Sequence, residues 1–138
     1  MIVHVEMAAP VDRVWRALTV PAEVTRWDGV TPSEVPEGYP SPGDHARWLS
    51  AVGPIRLVLH DRITAVEPLA RMASSIDVGF VHVEEEYRLA SSPQGSTLVS
   101  KNEVRSRIPG LGWLAVRLTR ANVEASMARL KVFCERES

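Results

Sequence analysis

From Ile2 to Met7 apolar and polar residues alternate, with Val3, Val5 and Met7 on one face and His4 and Glu6 on the other. That period of two predicts a half-buried strand. Ala9-Pro10 then opens a helix, because proline drives the residue before it out of helical space and is itself suited to the first helical position. Val11, Val14, Trp15 and Leu18 follow at the i, i+3, i+4, i+7 spacing of one apolar stripe. Val20-Pro21 repeats the punctuation, so a second short helix is expected with Val24 and Trp27 on its inner side.

Between Asp28 and Gly43 stand Gly29, Pro32, Pro36, Gly38, Pro40 and Pro42. This density predicts a long irregular surface connection, and long loops in compact domains are usually functional, for instance as lids. Five strands are expected beyond it, at His45 to Ser50, Ile55 to Val66, Arg71 to Val78, Phe80 to Leu89 and Thr97 to Ser106. Gly53-Pro54, Pro68, Asp77-Val78-Gly79 and Pro93-Gln94-Gly95 separate them as short turns. After Pro109 the pattern becomes helical almost to the end. Leu114, Leu118, Ala121 and Ala125 form one stripe, with Val116, Val123, Met127 and Leu130 beside it. At about 1.5 Å per residue such a helix reaches roughly 40 Å, enough to cross a whole sheet. One strand, two short helices, an antiparallel run and a long terminal helix make an α+β chain.

The chain has 138 residues, a length that predicts one domain spanning 1–138 and burial of about 70% of the unfolded surface. Hydrophobic residues at 45% and charged residues at 24% are globular proportions. Sixteen Lys and Arg against 17 Asp and Glu leave a net charge of −1, with no basic footprint for nucleic acid or anionic lipid. Cys134 has no cysteine to pair with, the first residues lack a basic leader, and no window is apolar enough to span a membrane. A cytoplasmic location is expected. Aromatic residues are only 6% of the chain, but four of them are Trp.

The run Ala8-Ala9-Pro10-Val11-Asp12-Arg13-Val14-Trp15 after a strand is followed by Pro21 to Arg26-Trp27, Pro42-Gly43-Asp44 and Arg62-Ile63-Thr64-Ala65-Val66-Glu67-Pro68. Pro109-Gly110 then leads into the long helix. In these features, and over essentially its whole length, the sequence resembles the polyketide cyclase/dehydrase branch of the START-like (SRPBCC, Bet v 1-like) superfamily. The resemblance implies a helix-grip fold, in which a curved antiparallel sheet wraps around the C-terminal helix and leaves a cavity for an apolar or aromatic small molecule. Its motifs are caps, corners and packing residues, so it specifies fold better than chemistry.

If one sheet face lines such a cavity, polar residues that share strand parity with apolar ones point into it. Asp61 falls in the row Ile55, Leu57, Leu59, Ile63 and Ala65. Desolvation there raises a carboxyl's pKa and makes Asp61 a general acid/base candidate; the alternative is that a bulge or strand end lets it reach solvent or pair with an arginine. Glu85 and Tyr87 share a face with Val81, Val83 and Leu89, although Glu84-Glu85-Glu86 also reads as a solvated charge run. Asp61, Glu85 and Tyr87 are thus the candidate catalytic set. Ser74, beside Met72 and Ile76, is placed inward by parity, while the resemblance puts Ser100 and Asn102 inward. These polar groups orient a ligand or form an internal hydrogen-bond network. Ile76, Trp27, Trp48, Tyr39 and Trp113 complete the candidate ligand-binding set, Tyr39 as a lid residue, Trp27 and Trp48 at a pocket mouth and Trp113 in the first turn of the terminal helix.

The four histidines, His4, His45, His60 and His82, lie on different strands without ligand spacing, so no metal is expected. No Gly-x-Ser-x-Gly elbow or glycine-rich phosphate loop is present, and no cofactor is expected. Three functions fit. The first is binding of an apolar or aromatic, polyketide- or lipid-like molecule in an internal cavity. The second is a polyketide cyclase/aromatase or dehydratase using a cavity carboxylate or tyrosine for proton transfer. The third is a protein-interaction module, similar to Hsp90 activators, which requires an exposed apolar patch. Monomer and homodimer stay open.

Overall fold

The structure is a computed structural model that describes residues 1–52 and 54–136. Gly53, expected in the turn before the long central strand, lies outside the described residues. The order is β1 (Ile2–Met7), α1 (Val11–Thr19), α2 (Pro21–Asp28), β2 (Thr31–Glu34), β3 (His45–Val52), β4 (Ile55–Glu67), β5 (Arg71–Val78), β6 (Val81–Ser92), β7 (Gly95–Ser106) and α3 (Gly112–Arg136). The strands form one antiparallel sheet in the order β1-β7-β6-β5-β4-β3-β2, and α3 packs against β7, β1, α1 and α2. This is the α+β helix-grip arrangement that the element pattern and the resemblance imply. Among the described residues, no helix is long and apolar enough to cross a membrane.

Pro10, extended at φ −70° and ψ 159°, starts α1, and Pro21 starts α2. Val14 and Leu18 are buried, with Val11 and Trp15 partly buried against the same core. The Trp27 indole donates to the Ala17 carbonyl at 2.8 Å, locking α2 onto α1. Gly29 ends α2 in the left-handed region at φ 76°, where a residue without Cβ is at ease.

Two expectations need correction. The proline-rich connection contains β2, which pairs with β3 and is exposed along its whole length. Pro32 is tolerated because β2 is the last strand of the sheet, where a missing N–H breaks no ladder. On α3 the buried residues are Ala115, Val123, Ser126, Met127, Leu130 and Cys134, while Leu118, Ala121 and Ala125 are exposed. Val123, Met127 and Leu130 of the second row do face inward, joined by Ala115 and Ser126, so only the first row, Leu114, Leu118, Ala121 and Ala125, fails to mark the buried face.

The interior divides into two ends. Met7, Val14, Leu18, Leu89, Leu98, Leu130 and Cys134 make a solid core under β1, β7 and α1. Toward β3, β4, β5 and β6 the sheet and the first half of α3 stand apart around an open space.

Candidate functional site

That space is a cavity of about 580 Å³. Its size falls within the range of small-molecule sites. The strand register sets its wall in rows. Trp48, Leu59, Val78 and Val81 are cross-strand neighbours, as are Ala46, Asp61, Ile76 and Val83, then Ile63, Ser74, Glu85 and Asn102, then Met72, Tyr87 and Ser100. Period-two alternation therefore delivers Asp61, Ser74, Glu85, Tyr87 and Asn102 to adjacent places on one face. A register shift does occur in β4, between Ile63 and Ala65, past the point where it would free Asp61. Ala65 and Val66 are both half-buried as a result, so Ala65 is no longer in strict alternation with Ile63.

Asp61 is only 5% exposed and meets no arginine among the described residues. Tyr39 Oη donates to its Oδ2 at 2.6 Å, and Trp48 Nε1 donates to the same oxygen at 3.3 Å. Its Oδ1 has no hydrogen-bond partner among the described residues. Burial raises the Asp61 pKa, and the contacts from Tyr39, Trp48 and Ser74 partly oppose that rise. Tyr39 and Trp48 meet edge to face, with centroids 5.8 Å apart and planes at 69°. The proline-rich connection thus places its one tyrosine against the cavity's aspartate.

Glu85 lies opposite both Ser74 and Asn102, with Tyr87 two residues along on the same face. Burial, then the nearby charges of Asp28 and Asp61, push its pKa up to about 8, and the Tyr87 hydroxyl pulls the other way. Burial and the Glu85 charge also raise Tyr87, while burial and Asp61 raise Tyr39. Glu85 therefore keeps its proton at neutral pH. Asp61, with two hydrogen-bond donors on one oxygen, is better able to hold a charge.

Asn102 donates through Nδ2 to Ser100 Oγ at 3.0 Å, and its Oδ1 has no partner among the described residues. Ser100 is fully buried and does not line the cavity. Ile76, Trp27, Trp48, Tyr39 and Ser74 do line it, but Trp113 does not. Trp113 is 64% exposed, because Ala115 takes the inward position against Val81 and Val83, and two residues earlier on a helix is about 200° away.

A third carboxyl escapes a reading based on strand parity. Asp28, on the last turn of α2, accepts from Ser126 Oγ at 3.1 Å and faces the cavity with its pKa raised by burial. Arg129 bonds the Trp27 carbonyl at 2.8 Å and Ser126 Oγ at 3.1 Å, placing a cation at the helix C-terminus that offsets the aspartate. The available signal was electrostatic, since an acid at a helix C-terminus opposes the macrodipole. Thr119, Asn122 and Ser126 of α3 complete the polar part of the wall.

The architecture is shared widely. An uncharacterized protein from Rhizobium leguminosarum superimposes with a TM-score of 0.81 at 19% identity, over 99% of this chain and 93% of its own. Ara h 8.0201 does so at 0.80 and 11% identity, over 97% and 95%. DynU16, from the dynemicin biosynthetic locus, reaches 0.74 at 22% identity; the match takes in 96% of this chain and 46% of DynU16. No curated protein matches. The family model for polyketide cyclase/dehydrase and lipid transport matches residues 2–135, the strand, helix pair, wrapped sheet and terminal helix that enclose the cavity. By that match the chain belongs to the polyketide cyclase/dehydrase and lipid transport family, within the SRPBCC group.

Proposed function

We propose that this protein takes up an apolar or aromatic small molecule, polyketide- or lipid-like in its body, in the cavity between the sheet and α3. The observation that carries this reading is a space of about 580 Å³, with mostly aliphatic and aromatic walls and a few convergent polar groups, where a solid core would otherwise stand. The family description and the dynemicin locus of one structural neighbour support it. A recessed site between the sheet and α3 favours a ligand over a protein-docking role. Native mass spectrometry of the purified protein, followed by thermal-shift screening of aromatic metabolites, tests it. A ligand present at 100 times its Kd adds about 2.7 kcal/mol, which raises Tm by several degrees. No shift across a broad panel would remove the reading.

A second reading, proton transfer on a β-keto substrate, is favoured by the contrast between the two strand carboxyls. Asp61, held by Tyr39 and Trp48, acts as the base that removes a proton from a CH₂ flanked by carbonyls. Protonated Glu85, with Tyr87, donates to the developing enolate oxygen. Deuterium exchange into a cyclic 1,3-diketone, followed by NMR, should slow by about 10²-fold or more in Asp61→Asn. Equal rates in Asp61→Asn, Glu85→Gln and the parent would end this version.

A further inference from the structure

The ionisable side chains facing the cavity are acids and tyrosines, not bases. Asp28, Asp61 and Glu85 reach it from α2, β4 and β6, and no Lys, Arg or His belongs to its wall among the described residues. The carboxyls do not close on a point: among the described residues, no group of three His, Cys, Asp or Glu could hold a metal ion. Acids spread around a space of about 580 Å³ suit a cation with a body rather than a bare ion.

The unpartnered atoms point the same way. Oδ1 of Asp61 and Oδ1 of Asn102 lack partners on residues only 5% and 1% exposed, and both are acceptors. Four of the donors around them are already committed: Tyr39 Oη and Trp48 Nε1 to Asp61, Trp27 Nε1 to Ala17, and Asn102 Nδ2 to Ser100. A ligand that brings N–H or O–H groups satisfies these two acceptors. The rings of Tyr39 and Trp48, which meet at 69° beside Asp61 and both line the cavity, add π-systems of the kind that attract an organic cation.

Resting on the reading of the cavity as a small-molecule site, we propose that its ligand carries a protonated amine on an apolar or aromatic body. The ammonium sits against Asp61 and Asn102, near Glu85 and the rings of Tyr39 and Trp48. Burial and mutual repulsion disfavour the ionised carboxyls, and a cation entering among them relieves both costs. A ligand bearing a carboxylate finds no cation to receive it among the described residues of the wall.

Three bicyclic probes of one shape test this by isothermal titration calorimetry: 2-naphthylmethylamine, 2-naphthylmethanol and 2-naphthoate. With the parent protein the amine should bind about tenfold or more tighter than the alcohol, and the naphthoate weakest of all. The amine-to-alcohol ratio should fall toward one in Asp61→Asn. If that variant does not fold, Glu85→Gln carries the same comparison. An alcohol or naphthoate that binds as tightly as the amine overturns the proposal while leaving the cavity reading intact, and so does a ratio unchanged by the substitution. Binding of none of the three overturns both.

Discussion

Glu85 concentrates the electrostatic cost of the site in one side chain. Its folded pKa is about 8 against an ordinary 4.5, so between those values the folded state keeps a proton that the unfolded chain has released. Stability therefore falls as pH rises through that window and levels off above it. Asp28 and Asp61, also raised, act in the same direction. Glu85→Gln removes one titration and leaves the others. At pH 9 the variant should be more stable than the parent by on the order of 1–3 kcal/mol, with little difference at pH 4. Thermal denaturation of both proteins over that range measures the effect, and parallel pH profiles would refute it. The position of Glu85 was legible in the sequence because strand parity places it with Val83 and Tyr87. Asp28 was not, since a residue at a helix end faces wherever packing turns it, here toward Ser126.

At the scale of elements, the junction of β1, β7 and α1 shows how little room the solid end leaves. Gly95 begins β7 at φ +145°, and a Cβ there would stand 2.5 Å from the Met7 carbonyl oxygen and 2.7 Å from the Ala9 nitrogen. All are backbone atoms, and Ser96 Oγ fixes the same spot by donating to the Ala9 carbonyl at 2.6 Å. Gly95→Ala therefore carries both strain and clash and should cost at least about 2 kcal/mol. In urea the midpoint should drop with the slope unchanged; an unmoved midpoint would contradict the packing described. The turn residues before β7 were readable, but the contact that makes glycine necessary comes from β1, far away in sequence. The same distance between cause and sequence hid β2, whose pairing with β3 overrides a proline-rich composition. It also hid the inward face of α3, where Ala115, Thr119 and Ser126 face inward while Leu118, which borders the cavity, is 51% exposed.

Taken whole, the molecule combines a packed end that holds it together with a hollow end that does not. Its accessible surface of 7699 Å² exceeds the roughly 7100 Å² expected for a compact protein of 15.3 kDa. An interior that is partly wall accounts for an excess of that sign. Sites of this kind trade stability for binding, because buried acids and unpartnered acceptors are retained where aliphatic side chains would pack. The row Ile63, Ser74, Glu85, Asn102 offers a direct test, since its two middle members are polar only at the cavity. In Ser74→Val/Glu85→Leu the row becomes largely apolar. The double variant should gain about 1–2 kcal/mol at pH 8 and lose the thermal shift produced by any ligand that stabilises the parent. A double variant less stable than the parent would mean instead that Ser74 and Glu85 hold the sheet together, and that the hollow end is structural in its own right.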